Sequence, residues 1–260
     1  PLEETPTTKK EAEPAKNKVA LVIGASGGIG IETTQLLLQS GFSVIAHYNN
    51  NKAELSQLKQ GIELPERLIL VQCDLRSASG VNSILETVNR YTDCLHAFIY
   101  TATPSIPNID FQQLDWAHFQ LQLQLHVEIP FRLTQQLEPT LTKGNAGVVF
   151  ITTQSIEQPF AKLTHYTVAK AALLGLVKSL ATDLASKKIR VNAVSPSIAD
   201  TDLNADLPQK IKLLSAAKTP LKRLATPTDI AQAIVFLADS SKSGFITGET
   251  IRVNGGQVMW

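Results

Sequence analysis

Cysteine is scarce in this chain: Cys73 and Cys94 are the two in 260 residues. Two thiols cannot build the disulfide framework that staples a small secreted domain. A reducing compartment is therefore expected, the cytoplasm first and an organelle stroma second. No Cys/His cluster has ligand spacing, and no metal site is expected. An excess of one charge is lacking as well, since 24 Lys and Arg stand against 23 Asp and Glu, a net +1. That balance argues against a nucleic-acid binder, which needs a concentrated positive face. No apolar run approaches the roughly 18 residues of a membrane span. Yet 43% of the residues are hydrophobic and 18% charged, enough to bury a sizeable core. An enzyme or a binding module of globular form is left.

Residues 1–17, PLEETPTTKKEAEPAKN, have almost no large apolar groups. They cannot offset the entropy of being ordered and read as a flexible tail. From Lys18 onward, short apolar runs alternate with longer amphipathic stretches. The runs are Val19–Ile23, Phe42–Ala46, Arg67–Val71, His96–Tyr100, Gly147–Thr152, Arg190–Ser195 and Thr250–Val253. Short and rich in Val and Ile, they read as strands buried on both faces. Helical stretches lie between them at Ile29–Gln39, Val81–Tyr91, Phe119–Leu137, Tyr166–Ala185 and Thr228–Ala238. In the fourth, Leu173, Leu176, Val177, Leu180 and Leu184 recur at helical spacing and define one buried face. This alternation implies one α/β domain over 18–260, a doubly wound parallel sheet of about seven strands with helices on both faces.

The first strand runs into Gly24-Ala25-Ser26-Gly27-Gly28-Ile29-Gly30 and then a helix. Strand, glycine turn and helix start form the context of a dinucleotide fingerprint. Glycine lets main chain approach a pyrophosphate, and the free N–H groups of the helix start bind it. The alternative is a plain strand-to-helix turn. After the second strand comes His47-Tyr48-Asn49-Asn50-Asn51-Lys52, with no acid to bind ribose hydroxyls. The missing carboxylate removes a repulsion against a 2′-phosphate, which His47, the Asn side chains and Lys52 could stabilise, although no Arg offers bidentate recognition. NADP(H) is favoured over NAD(H); otherwise these residues form a solvated loop. Asp74, followed by Leu75, either accepts from an adenine amino group or caps the next helix.

Tyr166 and Lys170 stand four apart at the head of a helix and share one face. An ammonium beside a phenol favours the phenolate and brings its pKa toward the working range. Tyr166 could then exchange a proton with a substrate hydroxyl or carbonyl, while Lys170 also reaches the nicotinamide ribose. Thirteen residues upstream stands Thr153, whose hydroxyl could hold a carbonyl oxygen beside the phenol, with Ser155 as a competitor.

These motifs occur in an order that resembles a classical short-chain dehydrogenase/reductase, 3-oxoacyl-ACP-reductase-like, from Lys18 to the C-terminus. The resemblance implies a single-domain Rossmann fold and hydride transfer between NADP(H) and a carbonyl or secondary alcohol. It puts Gly24, Gly28 and Gly30, with Ser26 and Ile29 between them, on the cofactor loop. Asp74 falls on an adenine-contacting acid, with His47, Asn49 and Leu75 on the same side. Tyr166 and Lys170 become the catalytic pair. Pro196, Ile198 and Thr201 become the nicotinamide-side loop, with Ile198–Leu224 as a substrate lid. Thr247–Gly256 resembles the last strand and its glycine turn.

Departures from the family cluster near the chemistry. Its Asn-Asn-Ala-Gly is Tyr100-Thr101-Ala102-Thr103 here, and only Ala102 matches, so a local rearrangement on the adenosine side is expected. Thr153 replaces a serine. His126 replaces an asparagine that helps hold a relay water, and it would either substitute with a titration near neutral pH or serve as a structural histidine. A small-molecule carbonyl or alcohol substrate is expected, uncharged or modestly apolar. The apolar helices around Leu121–Leu137 and Tyr166–Ala185 suggest a homo-oligomer, tetramer or dimer. A nucleotide-binding regulator or scaffold with little turnover is the alternative reading.

Overall fold

The structure, a computed structural model, describes residues 18–201 and 208–259. The expected tail, residues 1–17, lies outside the described residues, as does the 202–207 part of the expected lid. The seven apolar runs become β1 (Val19–Ile23), β2 (Ser43–Tyr48), β3 (Leu68–Gln72), β4 (Ala97–Tyr100), β5 (Gly147–Ile151), β6 (Arg190–Pro196) and β7 (Thr250–Val253). They pair in parallel in the order β3-β2-β1-β4-β5-β6-β7. The order reverses between β1 and β4, and ligands of such sheets bind at that switch point.

Helices α1 (Gly28–Gln39), α2 (Ala53–Gly61), α3 (Ala78–Tyr91), α4 (Trp116–Leu123), α5 (Ile129–Gly144), α6 (Thr164–Leu184), α7 (Gln209–Lys218), α8 (Pro227–Ala238) and α9 (Ser240–Ser243) complete the described elements. Alternate residues of each strand feed two cores. Leu21, Ile23, Phe98 and Phe150 pack with α3, α5 and α6, through side chains such as Ile84, Leu133 and Leu173. Ala20, Val22, Ile99 and Val149 pack with α1 and α8, through Leu37, Ile230 and Ile234. A strand buried on both faces has no polar side to show. That is why the runs read as continuous rather than alternating.

The helix expected over Phe119–Leu137 is two helices joined by a π-helical turn, Gln124–Glu128. Pro130 explains the break. It has no N–H to give the carbonyl four residues back, that of His126, and the Ile129 N–H reaches instead to Gln124. The sequence gives no bounds for α2, expected as the helix after the Asn49–Lys52 loop, or for α7, and their periodicity is weak: α2 buries only Leu55 and α7 nothing. Among the described residues no helix is long and apolar enough to cross a membrane.

One buried cation ties β6 to α8. Arg190 Nη1 donates to the Leu237 carbonyl and to Ser243 Oγ, both at 2.9 Å. Arg190→Leu would take this donor from the Ala238 carbonyl and leave the buried Leu237 carbonyl with the Ser243 hydroxyl alone. The expected cost is about 2–3 kcal/mol, read as a lower urea midpoint with unchanged m-value; an unchanged midpoint would show that the contact carries no net stability.

Candidate active site

The glycine turn is closed by its neighbours in the sheet. Gly24 sits at φ 80°, and a Cβ there would fall 2.6 Å from the Ala102 nitrogen. The loop after β4 reaches it from one side, where Thr101 Oγ1 donates to the carbonyls of Ile23 (2.9 Å) and Gly24 (3.0 Å). From the other side the Gly24 N–H donates to His47 Nδ1 at 3.2 Å, and His47 Nε2 donates to the Cys73 carbonyl at 3.0 Å. Both ring nitrogens are thus committed within the protein. His47 is a brace for the turn, contrary to the expectation that it would meet a phosphate; burial holds it neutral, with its pKa lowered. Gly30 packs on Gly24, since a Cβ at Gly30 would overlap the Gly24 carbonyl oxygen at 2.1 Å.

The helix start beyond the turn fits an anion. The first turn of α1 has neither a side-chain cap nor an acidic residue. Its N–H groups, at Gly28 to Gly30 and beside Ser26 and Ile29, therefore remain available, with the positive end of the helix dipole behind them. Thr201 closes over them: its Cγ2 lies 3.2 Å from where a Gly28 Cβ would be. Pro196 ends β6 just before this segment, and Ile198, partly buried, comes two residues later. These residues and this cradle suit a dinucleotide pyrophosphate.

A cavity of about 250 Å³ continues along the ends of β2 and β3, lined by His47, Asn49, Asp74, Leu75, Arg76, Ala102 and Thr103 among others. Asp74 does not cap α3. That role falls to Ser77, which accepts from the Gly80 N–H at 3.1 Å. The Asp74 carboxylate is instead gripped by Arg76, whose Nη2 lies 2.6 Å and Nε 2.9 Å away, and the Arg76 hydrogen bonds hold its pKa below the usual carboxylate range. Arg76 was not apparent from the sequence, where the stretch after β2 offers no arginine for a phosphate. The fold lays the β3 end alongside that stretch.

On the far side of the switch point, Tyr166, Lys170, Thr153 and His126 meet. Lys170 is buried, with its Nζ 5.8 Å from the Tyr166 ring centroid and donating to the Ile151 carbonyl at 2.6 Å. Burial brings the ammonium down to about 7. Tyr166 does not behave as expected. Its surroundings raise the phenol pKa by desolvation, and a hydrogen bond with Thr153 works against that rise, not the lysine. Thr153 in turn donates to Ser155 Oγ at 3.2 Å, so the two candidate hydroxyls are linked rather than alternatives.

His126 sits in the π-helical turn, fully buried, with its ring edge-on to Tyr166 at 6.0 Å between centroids. Desolvation, and the charge of Lys170 after it, push its pKa well below the ordinary histidine value. The expected titration near neutral pH is thereby corrected: this imidazole is neutral. Its Nε2 lies 3.2 Å from Thr103 Oγ1, while Nδ1 has no hydrogen-bond partner among the described residues.

A parallel sheet with a glycine turn at its switch point and a Tyr–Lys pair at the end of β5 defines a Rossmann-type oxidoreductase. A family model described as Enoyl-(Acyl carrier protein) reductase matches residues 24–257. The chain belongs to the short-chain dehydrogenase/reductase family, whose members use NAD(P)(H). It is 32% identical over 243 residues to "Uncharacterized oxidoreductase YmfI" of Bacillus subtilis, covering 92% of this chain and 98% of that one. It is 29% identical over 248 residues to the 3-oxoacyl-[acyl-carrier-protein] reductase FabG of Thermotoga maritima, covering 94% and 99%. A crystal structure of a short-chain dehydrogenase/reductase (glucose/ribitol dehydrogenase) from Brucella melitensis superposes with a TM-score of 0.84 at 26% identity, over 94% and 98% of the chains.

Burial of the lysine makes stability depend on pH. Unfolded, Lys170 would titrate near 10.5; folded, it titrates near 7. Between those values the unfolded chain holds a proton that the folded chain lacks, so stability rises with pH across this window, by up to about 1.4 kcal/mol per unit. Lys170→Met, which also takes the donor from the Ile151 carbonyl, should lose this part of the rise. Urea midpoints at about pH 7 and about pH 9 read the effect; equal slopes in the two proteins would refute it.

Proposed function

We propose that this chain is an NADP(H)-dependent reductase of a carbonyl substrate, or a secondary-alcohol dehydrogenase in reverse. The observation that carries the reading is the convergence of Thr153, Tyr166 and Lys170 at the end of β5, on the same edge of the parallel sheet as the uncapped start of α1. Bound NADPH supplies a hydride. The chain's own groups do the rest. The Thr153 hydroxyl, turning its proton from Ser155 Oγ to the substrate, holds the carbonyl oxygen at Tyr166. A neutral phenol in the resting site is the right form for a general acid, and Tyr166 gives its proton to that oxygen. Lys170, titrating near 7, replaces the proton on the phenol. His126, neutral and anchored on Thr103, offers Nδ1 to a water on that route.

Charge supports the choice of NADP(H). No acid follows β2, and the one carboxylate in the adenosine cavity, Asp74, is neutralised by Arg76. A second guanidinium face remains for a 2′-phosphate. The exposed aromatic side chains Phe111 and Trp116, the latter stacked on Phe119, with Phe131 and Val168, support a homo-oligomer built on α4 to α6.

Tyr166→Phe should lower NADPH turnover on a carbonyl panel by roughly 10²–10⁴-fold while leaving NADPH affinity unchanged. Unchanged turnover would sink the reductase reading. In direct binding titrations, Arg76→Ala should weaken NADPH by about tenfold or more and NADH by much less, a differential worth about 1.4 kcal/mol. Equal losses for the two cofactors would take Arg76 out of 2′-phosphate recognition.

A further inference from the structure

Asp74 and Arg76 stand two residues apart just past β3, and the turn they share is held from several sides. The Asp74 carbonyl accepts from the Ser77 N–H at 3.2 Å and from Ser77 Oγ at 2.8 Å. The Arg76 carbonyl accepts from Gln124 Nε2 at 3.3 Å. That bond ties the turn to the π-helical segment, whose Leu125 lines the same cavity. With the backbone held, Asp74 and Arg76 meet in four contacts. Asp74 Oδ1 accepts from the Arg76 backbone N–H and from Nε, both at 2.9 Å. Oδ2 accepts from Nε at 3.0 Å and from Nη2 at 2.6 Å. A carboxylate offers about four lone-pair sites, and one residue takes them all.

A free carboxylate in this cavity would tell adenine from other purines, because it accepts from a 6-amino group and repels a 6-oxygen. That discrimination needs an open lone pair and an uncompensated charge. Asp74 offers neither, since its acceptor sites are taken and a guanidinium lies 2.6 Å away. Asn49 and Asn50 also line the cavity, with Thr103 and Ser105. An Asn amide can turn its oxygen to an amino group or its NH₂ to a carbonyl, and a hydroxyl is equally ambivalent. We infer that this cavity does not read the exocyclic group of the purine, and takes a dinucleotide carrying hypoxanthine about as well as one carrying adenine. Asp74 is then a positioning residue that holds Arg76, and Arg76 is the residue that silences base reading. The inference rests on the cofactor reading of this cavity; the chemistry at Tyr166 plays no part in it.

The probes are NADPH and its deaminated analogue, reduced nicotinamide hypoxanthine dinucleotide phosphate, compared by direct binding titration. The parent protein should bind the two within about threefold of each other. Arg76→Ala frees the carboxylate, and the amino base should then be preferred by about tenfold or more. A weakening common to both probes, through the lost contact to the 2′-phosphate, cancels in that ratio. So does a general loosening of the turn. Adding Asp74→Ala to Arg76→Ala removes the freed carboxylate and should bring the ratio back below about threefold. NADH and its deaminated form should repeat the pattern without a 2′-phosphate. A parent protein that rejects the hypoxanthine form by about tenfold or more overturns the inference. A ratio that Arg76→Ala leaves unchanged does the same. Binding of neither NADPH nor NADH removes the cofactor reading itself, and this inference with it.

Discussion

The cleft depends on one close approach, that of the Gly24 backbone to the Ala102 nitrogen across the switch point of the sheet. A side chain at Gly24 would need to occupy the same space. Because β1 lies between β2 and β4, the turn can be braced from both neighbours at once. His47 holds its N–H from the β2 side and Thr101 its carbonyl from the β4 side. The free helix start of α1 is therefore aimed by the sheet, not by the loop alone. That is how a short glycine turn can present a fixed anion site. The same strand order lays the ends of β2 and β3 along one flank, the adenosine cavity, and puts β5 and α6 with their Thr, Tyr and Lys on the other.

Electrostatics at the second flank are governed by burial rather than by pairing. Among the described residues Lys170 has a carbonyl partner but no carboxylate, so desolvation dominates and its charge is held only up to about 7. The same desolvation keeps Tyr166 a phenol and His126 an uncharged imidazole. Three groups that would each carry charge or proton demand in water are thus held near their neutral forms. Such a site has little ground-state charge of its own to defend. A cation brought close by a bound ligand would shift all three in the same direction, toward releasing protons.

Much of this was legible in the sequence, and what was not has specific causes. The seven strands could be read, with ends one or two residues off in five of them, because double burial leaves continuous Val/Ile runs. The glycine turn and the Tyr166–Lys170 pair could be read because their geometry is local. The π-helical turn could not, since a hydrophobic period cannot register one extra residue in a ladder; only Pro130 hinted at it. His47 was given a ligand role because a sequence shows a polar residue at a strand end without showing that both its nitrogens are taken. Arg76 is not legible because it follows β3 in sequence but lines one cavity with the β2 loop in space.

The departures from the family pattern are joined in space. In sequence, the replacement of Asn-Asn-Ala-Gly by Tyr-Thr-Ala-Thr and the replacement of asparagine by His126 look like two separate losses. In the structure they touch, Thr103 Oγ1 to His126 Nε2 at 3.2 Å. Tyr100 joins them by donating its hydroxyl to the Leu125 carbonyl at 2.7 Å, one residue before His126 in the π-helical turn. The β4 loop therefore supplies a partner for one imidazole nitrogen through Thr103 and for the backbone beside it through Tyr100, while Nδ1 stays without a partner among the described residues. A buried imidazole without Thr103 would carry two unpaired nitrogens, and such a group is destabilising enough to select for a compensating hydroxyl. Thr103 and His126 thus act as one unit in this chain, which keeps a polar group beside Tyr166.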